Sequence, residues 1–316
     1  MKTIDNPTNK IIVITGPTAT GKTALGARLA KQIGGEVVSA DSMQVYKYMD
    51  IGTAKPTEAE MLGMPHHMIS IVHPSEDYSV SRYVENASKC VDDILQRGKT
   101  PIIVGGTGLY IDSLIAGRAF LKQVDAELRQ ELETEYDKSG GDDMLRRLAE
   151  FDAESASRLH ANDKRRIVRA FEVYKSMGKT ISQHDYETKQ IPPKYTARKF
   201  ALTFSDREEL YKRINSRVDA MVAAGLEDEV RSLIEMGIPR CATSMQAIGY
   251  KEMLDAIMGE CRHDEAIDKI KMESRRYAKR QLTWLRRDDS VEWITWEKES
   301  TSELVRFDKI FASGNL

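Results

Sequence analysis

The segment from Gly16 to Thr23 combines residue types that bind phosphate groups. Its sequence, GPTATGKT, fits the pattern G-x-x-x-x-G-K-[ST]. The two glycines allow a tight turn whose N–H groups converge, Lys22 adds a charge, and the Thr23 hydroxyl can reach a phosphate oxygen or a magnesium ion. The pattern predicts a di- or triphosphate site but not which pyrophosphate it holds. This site comprises Gly16, Pro17, Thr18, Ala19, Thr20, Gly21, Lys22 and Thr23.

Two other polar residues follow strand-like runs. Asp41 comes directly after the run 36–40, and Thr107 lies in a glycine-rich turn after the apolar run 101–104. Parallel strands end at one edge of a sheet, where ligands bind, so we expect both residues near the phosphate loop. Asp41 is a candidate general base or metal ligand, and a cap on the following turn is an equal alternative. For Thr107 the plainer alternative is a simple strand-to-helix turn.

The elements that must position these residues alternate between short apolar runs and helix-like stretches. This alternation predicts an α/β fold, a P-loop NTPase-like parallel sheet flanked by helices. Strands are predicted at 11–14, 36–40, 67–71, 101–104 and 199–204, and the tail from Val291 is a candidate edge strand. Helices are predicted at 24–33 and 83–97 and, after the last of these central strands, from Asp206, Gly225 and Ala247 and at about 265–287.

Residues 119–198 differ in character, because charged helix-like stretches dominate there and no strand-like run occurs. We therefore predict an all-helical insertion at 119–198 within a core formed by 1–118 and 199–316. Arg165, Arg166 and Arg169 form a tight cationic cluster in the insertion, and the basic last helix contains Tyr277 and Trp284. Both could contact RNA phosphates, and both could equally be solvated helix faces.

The overall composition limits the class of protein. The chain has 316 residues, of which 41% are hydrophobic, and a formal charge of −2, so any nucleic-acid surface must be local. No apolar run approaches the length of a membrane span, and the first ten residues do not resemble a signal peptide. The three cysteines lack C-x-x-C spacing. We expect a cytoplasmic protein with reduced thiols, no zinc site and no membrane partner.

Several segments together resemble one family, the tRNA dimethylallyltransferases, which are the bacterial tRNA isopentenyltransferases. The combination of DSMQVY, MDIGTAKP and GGTGLY is far more specific than the phosphate loop alone, although Lys164 stands where many relatives have proline. The matching segments, in the family's order, are 16–23, 41–46, 49–56, 105–110, 162–170, 248–251 and 277–286.

The resemblance implies transfer of a dimethylallyl group from dimethylallyl diphosphate to N6 of adenine 37, beside the anticodon of tRNAs that read codons beginning with U. The phosphate loop would then hold a diphosphate leaving group rather than ATP. Lys22, Thr23 and Mg²⁺ would stabilise its charge, with Thr23 as the metal ligand. Arg217, together with Arg213 on the same helix face, could complete the clamp. The resemblance also implies a monomer.

On the acceptor side, the resemblance implies that Asp41 accepts the proton or hydrogen bond of the attacking amine and that Thr107 positions the adenine. The adenine must leave its stack to react. The insertion would bind the anticodon stem-loop. The residues implied in tRNA binding are Asp41, Ser42, Met43, Gln44, Thr107, Arg129, Arg165, Arg166, Ile167, Val168 and Arg169.

Three other functions use some of the same features. A small-molecule P-loop kinase needs the phosphate loop and a base, but it has no need of the insertion or the basic last helix. An adenylate isopentenyltransferase would use AMP rather than tRNA as acceptor. A non-catalytic RNA-binding module could use nucleotide as a switch.

Overall fold

The computed structural model describes residues 9–117 and 126–296, and its centre is a parallel β-sheet. In these ranges six strands pair in the order β3-β2-β4-β1-β5-β6, and every pair is parallel. The α/β fold with a parallel sheet is thereby confirmed. The strands are β1 (Lys10–Thr15), β2 (Glu36–Ser39), β3 (His66–His67), β4 (Pro101–Val104), β5 (Thr196–Phe204) and β6 (Val291–Trp296).

Helices flank the sheet and also make up the segment between β4 and β5. Those that alternate with the first strands are α1 (Lys22–Ile33), α2 (Val80–Gln96) and α3 (Gly108–Ala116). The next five are α4 (Ala126–Ser139), α5 (Gly141–Phe151), α6 (Ala153–Arg158), α7 (Lys164–Met177) and α8 (Ile181–Lys189). After β5 come α9 (Arg207–Ala223), α10 (Leu226–Glu235), α11 (Tyr250–Ile257) and α12 (His263–Leu285).

The central strand β1 is apolar along almost its whole length because neighbours cover it on both sides. Ile11 to Ile14 are at most 3% exposed. Ile12 pairs with Ile102 of β4, and Val13 pairs with Lys199 of β5. This register brings the carboxyl ends of β1, β2 and β4 to one edge of the sheet, where ligands bind in open α/β folds.

The predicted third strand, 67–71, is wrong in extent, because β3 contains only His66 and His67. Met68 and Ser70 have positive φ angles of 65° and 52°, which an extended strand does not allow. The backbone there turns towards the segment after β2, and the Ser70 N–H donates to the Gln44 carbonyl over 2.9 Å. The predicted edge strand in the tail is confirmed as β6, which pairs with β5.

The chain divides into two compact units. One contains 9–117 and 194–296, and the other contains 126–193, within the described ranges. The second unit has its own apolar core, in which Leu132, Met144, Leu148 and Phe171 are buried. Residues 194–198, which we expected in the insertion, belong with the sheet, and Tyr195 there donates to Asp92 of α2 over 2.6 Å. The predicted start of the insertion, at residue 119, lies outside the described residues.

No helix in the described ranges has the length and apolar character needed to cross a membrane.

Candidate active site

The phosphate-loop segment forms a closed turn between β1 and α1. Gly16 has a φ of 135°, and a Cβ atom there would lie 2.4 Å from the Leu202 carbonyl oxygen, so only glycine fits. Gly21, with a φ of 83°, precedes α1 in the left-handed region. The Thr20 hydroxyl and the Lys22 ammonium both donate to the Pro17 carbonyl over 2.8 Å. The loop is therefore held in one shape at the positive end of the helix dipole.

Opposite charges surround the cavity next to this loop. Burial and the neighbouring Arg217 lower the pKa of Lys22 to about 7, and the negative charge of Asp41 opposes that shift. Burial also lowers the pKa of Arg217, and the negative charge of Asp41 again opposes that shift. The first cavity is lined by Thr18, Lys22, Thr23, Val37, Ser39, Asp41, Gln44, Pro56, His66, Ile69, Val104, Gly105, Gly106, Arg217, Tyr277 and Gln281.

Asp41 fits both interpretations that the sequence left open. Its Oδ1 accepts the backbone N–H groups of Met43 and Gln44, over 2.8 and 3.3 Å, so it caps the following turn. The same side chain lines the cavity with Lys22 and Thr23. No second hydrogen bond to its carboxylate, at Oδ2, occurs among the residues the structure describes. One oxygen therefore fixes the side chain, and the other has no hydrogen bond within the described ranges.

Thr107 lies beside Asp41, as the strand ends predict. Its hydroxyl accepts the Ser42 N–H over 3.2 Å, and its own N–H donates to the Ala40 carbonyl over 3.2 Å. It precedes helix α3 but its side chain does not cap that helix. The hydroxyl also forms a side-chain hydrogen bond with Tyr277.

A second cavity adjoins the first. The two cavities share Thr18, Asp41, Arg217 and Tyr277, so the acid and the phosphate loop lie where they meet. Aliphatic side chains from α9 and α12 form much of the second wall. The second cavity is lined by Thr18, Asp41, Ser42, Met43, Gly52, Thr53, Ile214, Arg217, Val218, Met221, Gln246, Ala247, Ile248, Ile270, Ser274, Tyr277 and Arg280.

Gln281 of α12 connects the two glycine-rich turns, and sequence reasoning missed it. Its side chain accepts the Thr18 N–H over 2.9 Å and donates to the Gly106 carbonyl over 2.9 Å. A Cβ at Gly106 would lie 2.1 Å from the Gln281 amide nitrogen, which explains the glycine there. A sequence signal for Gln281 was present, because it lies in the matched segment 277–286. The basic residues of that segment indicated a nucleic-acid surface instead.

Tyr277, one turn before Gln281, was also missed as a site residue. Burial and then the negative charge of Asp41 raise its pKa to about 12, so the phenol stays protonated. Tyr277 lines both cavities. A neutral hydroxyl beside the acid can donate or accept a hydrogen bond without adding charge to the site.

Arg213 is placed differently from Arg217. Its guanidinium donates to the Ala19 carbonyl over 3.3 Å and lies 5.2 Å from the centre of the Phe204 ring. Unlike Arg217, it is not among the residues that line the two cavities. Arg213 therefore supports the backbone of the phosphate loop from outside.

In the helical unit, the expected tRNA-binding residues differ in exposure. Arg165 and Arg166 are exposed, and neither forms an ion pair within the described ranges. Ile167 and Val168 are 0% and 1% exposed and belong to the apolar core of the unit, so their side chains are not presented to solvent.

Arg129 and Arg169 share one buried partner. The carboxylate of Glu172, only 1% exposed, lies 3.0 Å from the Arg169 guanidinium and 3.3 Å from that of Arg129. A buried carboxylate must be neutralised, so these two arginines have a structural role whatever else they bind.

Comparison with known proteins identifies the family. The family model for IPP transferase matches residues 44–288, and that for isopentenyl transferase matches residues 9–70. The chain is 46% identical to the tRNA dimethylallyltransferase of Acetivibrio thermocellus, over 94% of this chain and 95% of the relative. It is 48% identical to that of Carboxydothermus hydrogenoformans, over 93% and 94%.

Solved structures agree with the sequence comparison. The tRNA isopentenylpyrophosphate transferase of Bacillus halodurans superposes with a TM-score of 0.72 at 42% identity, over 97% of this chain and 96% of that one. A eukaryotic dimethylallyltransferase acting on tRNA gives a TM-score of 0.78 at 30% identity, over 96% of this chain and 77% of that one. The likeness extends over nearly the whole chain, and the chain belongs to the IPP transferase family, the tRNA dimethylallyltransferases.

Proposed function

We propose that this protein transfers a dimethylallyl group from dimethylallyl diphosphate to N6 of adenine 37 in tRNAs that read codons beginning with U. One observation supports this most directly: two cavities meet at Asp41, Arg217 and Tyr277 beside the phosphate loop. A group transfer needs two substrates whose reacting atoms meet. A kinase for a small alcohol leaves the second, largely aliphatic cavity unexplained.

The proposed reaction forms one bond and breaks one. The N6 amine attacks C1 of the dimethylallyl group, the bond between C1 and the diphosphate oxygen breaks, and the diphosphate leaves with the bonding electrons. The N6 proton goes to Asp41, whose Oδ1 is already fixed by the turn. The Thr107 hydroxyl, held beside Asp41 through Ser42, would orient the adenine.

The residues next to the phosphate loop would stabilise the leaving diphosphate. Lys22 and Arg217 bring positive charge to the first cavity, and Thr23 brings a hydroxyl to the same wall. Mg²⁺ binds few protein oxygens together with substrate phosphates, and the Thr23 hydroxyl beside the phosphate loop fits that pattern. When bound, Mg²⁺ would neutralise charge that develops on the diphosphate. The loop N–H groups and the α1 dipole act in the same direction.

The acceptor adenine must be extruded from the anticodon loop before it can reach Asp41. We assign Ser42 and Met43 to the entrance through which the adenine passes, because they line the second cavity, which Lys22 does not line. In the helical unit, Arg165 and Arg166 are two exposed cations that would contact the tRNA backbone. We further propose that the protein acts as a monomer in the cytoplasm, where this tRNA substrate is found.

Incubation with dimethylallyl diphosphate, Mg²⁺ and an anticodon stem-loop, followed by mass analysis of the released nucleosides, tests this proposal. We expect dimethylallyladenosine with the wild type and almost none with Lys22→Ala. Parallel reactions with AMP, and with ATP and small alcohols, test the other acceptors. A prenylated AMP or a phosphorylated alcohol, with no modified stem-loop, would replace the proposed function. Absence of any product at stoichiometric enzyme would favour a binding module.

A further inference from the structure

Two of the matched segments, 49–56 and 248–251, have no role in the reaction as proposed above. The structure brings them together at Glu229 of helix α10. The backbone N–H groups of Asp50, Ile51 and Gly52 donate to the Glu229 carboxylate over 2.7, 2.8 and 3.0 Å. Three successive N–H groups that converge in this way form an anion-binding nest, and here the anion is a side chain of the protein itself.

Tyr250 completes the arrangement from helix α11. Its hydroxyl donates to Glu229 Oε1 over 2.5 Å, and the residue is fully buried. Its ring lies against Gly52, where an added Cβ would be 2.4 Å from a ring carbon, so a larger residue at 52 would displace either the loop or the ring. Hydrogen bonds to a charged acceptor are stronger than neutral ones, so this contact fixes the loop firmly.

The clamped loop continues to the active site. Gln44 donates through its side-chain amide to the carbonyls of Thr53 and Ala54, over 3.4 and 3.3 Å, and accepts the Ser39 hydroxyl over 3.1 Å. The backbone N–H of Gln44 is one of the two groups that Asp41 Oδ1 accepts. The position of the loop is therefore transmitted through one side chain to the acid.

The same loop also forms part of the cavity walls. Gly52 and Thr53 line the second cavity, and Pro56 lines the first. Lys55 anchors the intervening backbone, because its buried ammonium donates to the Tyr46 carbonyl and the Ser70 hydroxyl, each over 2.8 Å. A shift of this loop would therefore change both the shape of the cavities and the support behind Asp41.

We propose that Glu229, supported by Tyr250, is a positioning residue for dimethylallyl transfer. It touches no substrate and acts through the loop 50–54 and Gln44 to hold Asp41 in its reactive orientation. This inference rests on the proposed function. Misplacement of a reacting group by about 1 Å can lower a rate by about 100-fold, so a loosened loop should slow the transfer step itself.

The test compares Glu229→Gln and Tyr250→Phe with Glu235→Gln, an exposed glutamate at the end of the same helix. Single-turnover reactions at saturating dimethylallyl diphosphate and stem-loop give a rate constant and the fraction of active enzyme. For Glu229→Gln we expect a rate constant about 10- to 100-fold lower, since an amide cannot accept all of these hydrogen bonds. The active fraction should be unchanged, and the donor affinity should change less than the rate constant. Tyr250→Phe should have a smaller effect, and Glu235→Gln should match the wild type.

A double variant separates positioning from general support. If Glu229 acts through Gln44, the rate loss of Glu229→Gln combined with Gln44→Ala should be smaller than the product of the two single losses. Equal rates for Glu229→Gln and wild type would overturn the inference while leaving the proposed function intact. A loss confined to the active fraction would also overturn the inference. If Glu229→Gln does not fold, the rate constant of Tyr250→Phe is compared with the wild type in its place. Absence of product from the wild type would instead overturn both.

Discussion

Replacing Asp41 by asparagine separates two roles that the structure gives to one carboxylate. Oδ1 caps the turn by accepting the N–H groups of Met43 and Gln44. Asparagine caps as well as aspartate does, because its carbonyl oxygen is an equivalent acceptor. Asp41→Asn therefore removes the negative charge and the proton acceptor but leaves the turn in place. Asp41→Ala removes both functions at once.

The size of each effect follows from these roles. Loss of a general base typically lowers a rate by about 100- to 10,000-fold, which is about 3 to 5 kcal/mol of transition-state stabilisation. Loss of a cap of this kind costs about 1 kcal/mol of folding free energy. We expect Asp41→Asn to lower the transfer rate by this factor and to leave the free energy of unfolding unchanged. Asp41→Ala should lower the transfer rate by the same factor and should also lower the free energy of unfolding by about 1 kcal/mol.

Three measurements are needed for each variant: the single-turnover rate at saturating donor, the equilibrium affinity for the stem-loop, and the free energy of unfolding from denaturant titration. Saturating donor removes any effect of the lost charge on diphosphate binding. Stem-loop affinity should change little for Asp41→Asn. A turnover rate within about tenfold of the wild type for Asp41→Asn would refute the base role, as would equal losses of rate and stem-loop affinity.

Three other predictions concern the charges and the loop contacts. The pKa of Lys22 is about 7, so above that pH the donor binds with uptake of a proton by Lys22, and donor affinity should fall as the pH rises. Calorimetry in two buffers at about pH 8 should show this proton uptake. Binding heats that do not depend on the buffer would contradict it. Gln281→Met leaves the N–H and carbonyl that it bridges without partners and should weaken donor binding about tenfold with no change in stem-loop affinity; unchanged donor binding would exclude a role in the cradle. Arg165→Gln should reduce the salt dependence of stem-loop binding by about one unit of slope at unchanged stability. Arg169→Gln removes one of the two partners of the buried Glu172 carboxylate and should cost about 1 to 3 kcal/mol of stability; the same stability loss in both variants would contradict the assignment.

Three of the site features that the sequence located lie just after strands, whereas Arg217 lies on helix α9. The phosphate loop comes after β1, Asp41 comes two residues after β2, and Thr107 comes three residues after β4. A parallel sheet brings such positions together without any further information. The strand expected at 67–71 was wrong in extent because the backbone bends at Met68 and Ser70, which have positive φ angles. Apolar side chains alone do not reveal that bend.

The residues that sequence reasoning missed are held by long-range contacts. Gln281 bonds to Thr18 across 263 positions, and Glu229 bonds to the loop of Gly52 across 177. Neither contact has a local pattern, because the buried Gln281 and the partly buried Glu229 look in the sequence like any other polar residue of a charged helix. Ile167 is different, because its helical spacing with other apolar residues already predicts a core position.

A phosphate loop alone does not decide what reaction its phosphates undergo. In this protein the groups that distinguish a transferase come from the second half of the chain. Burial and Arg217 lower the pKa of Lys22, so the loop lysine is only partly charged near neutral pH until an anion reaches it. Tyr277 adds a neutral hydroxyl beside Asp41, where a second lysine would instead have repelled Lys22. Helices α9 and α12 also supply the aliphatic wall of the second cavity. Substitutions on α9 and α12 should therefore alter the reaction more than substitutions among the small residues of the phosphate loop, which determine only the phosphate site.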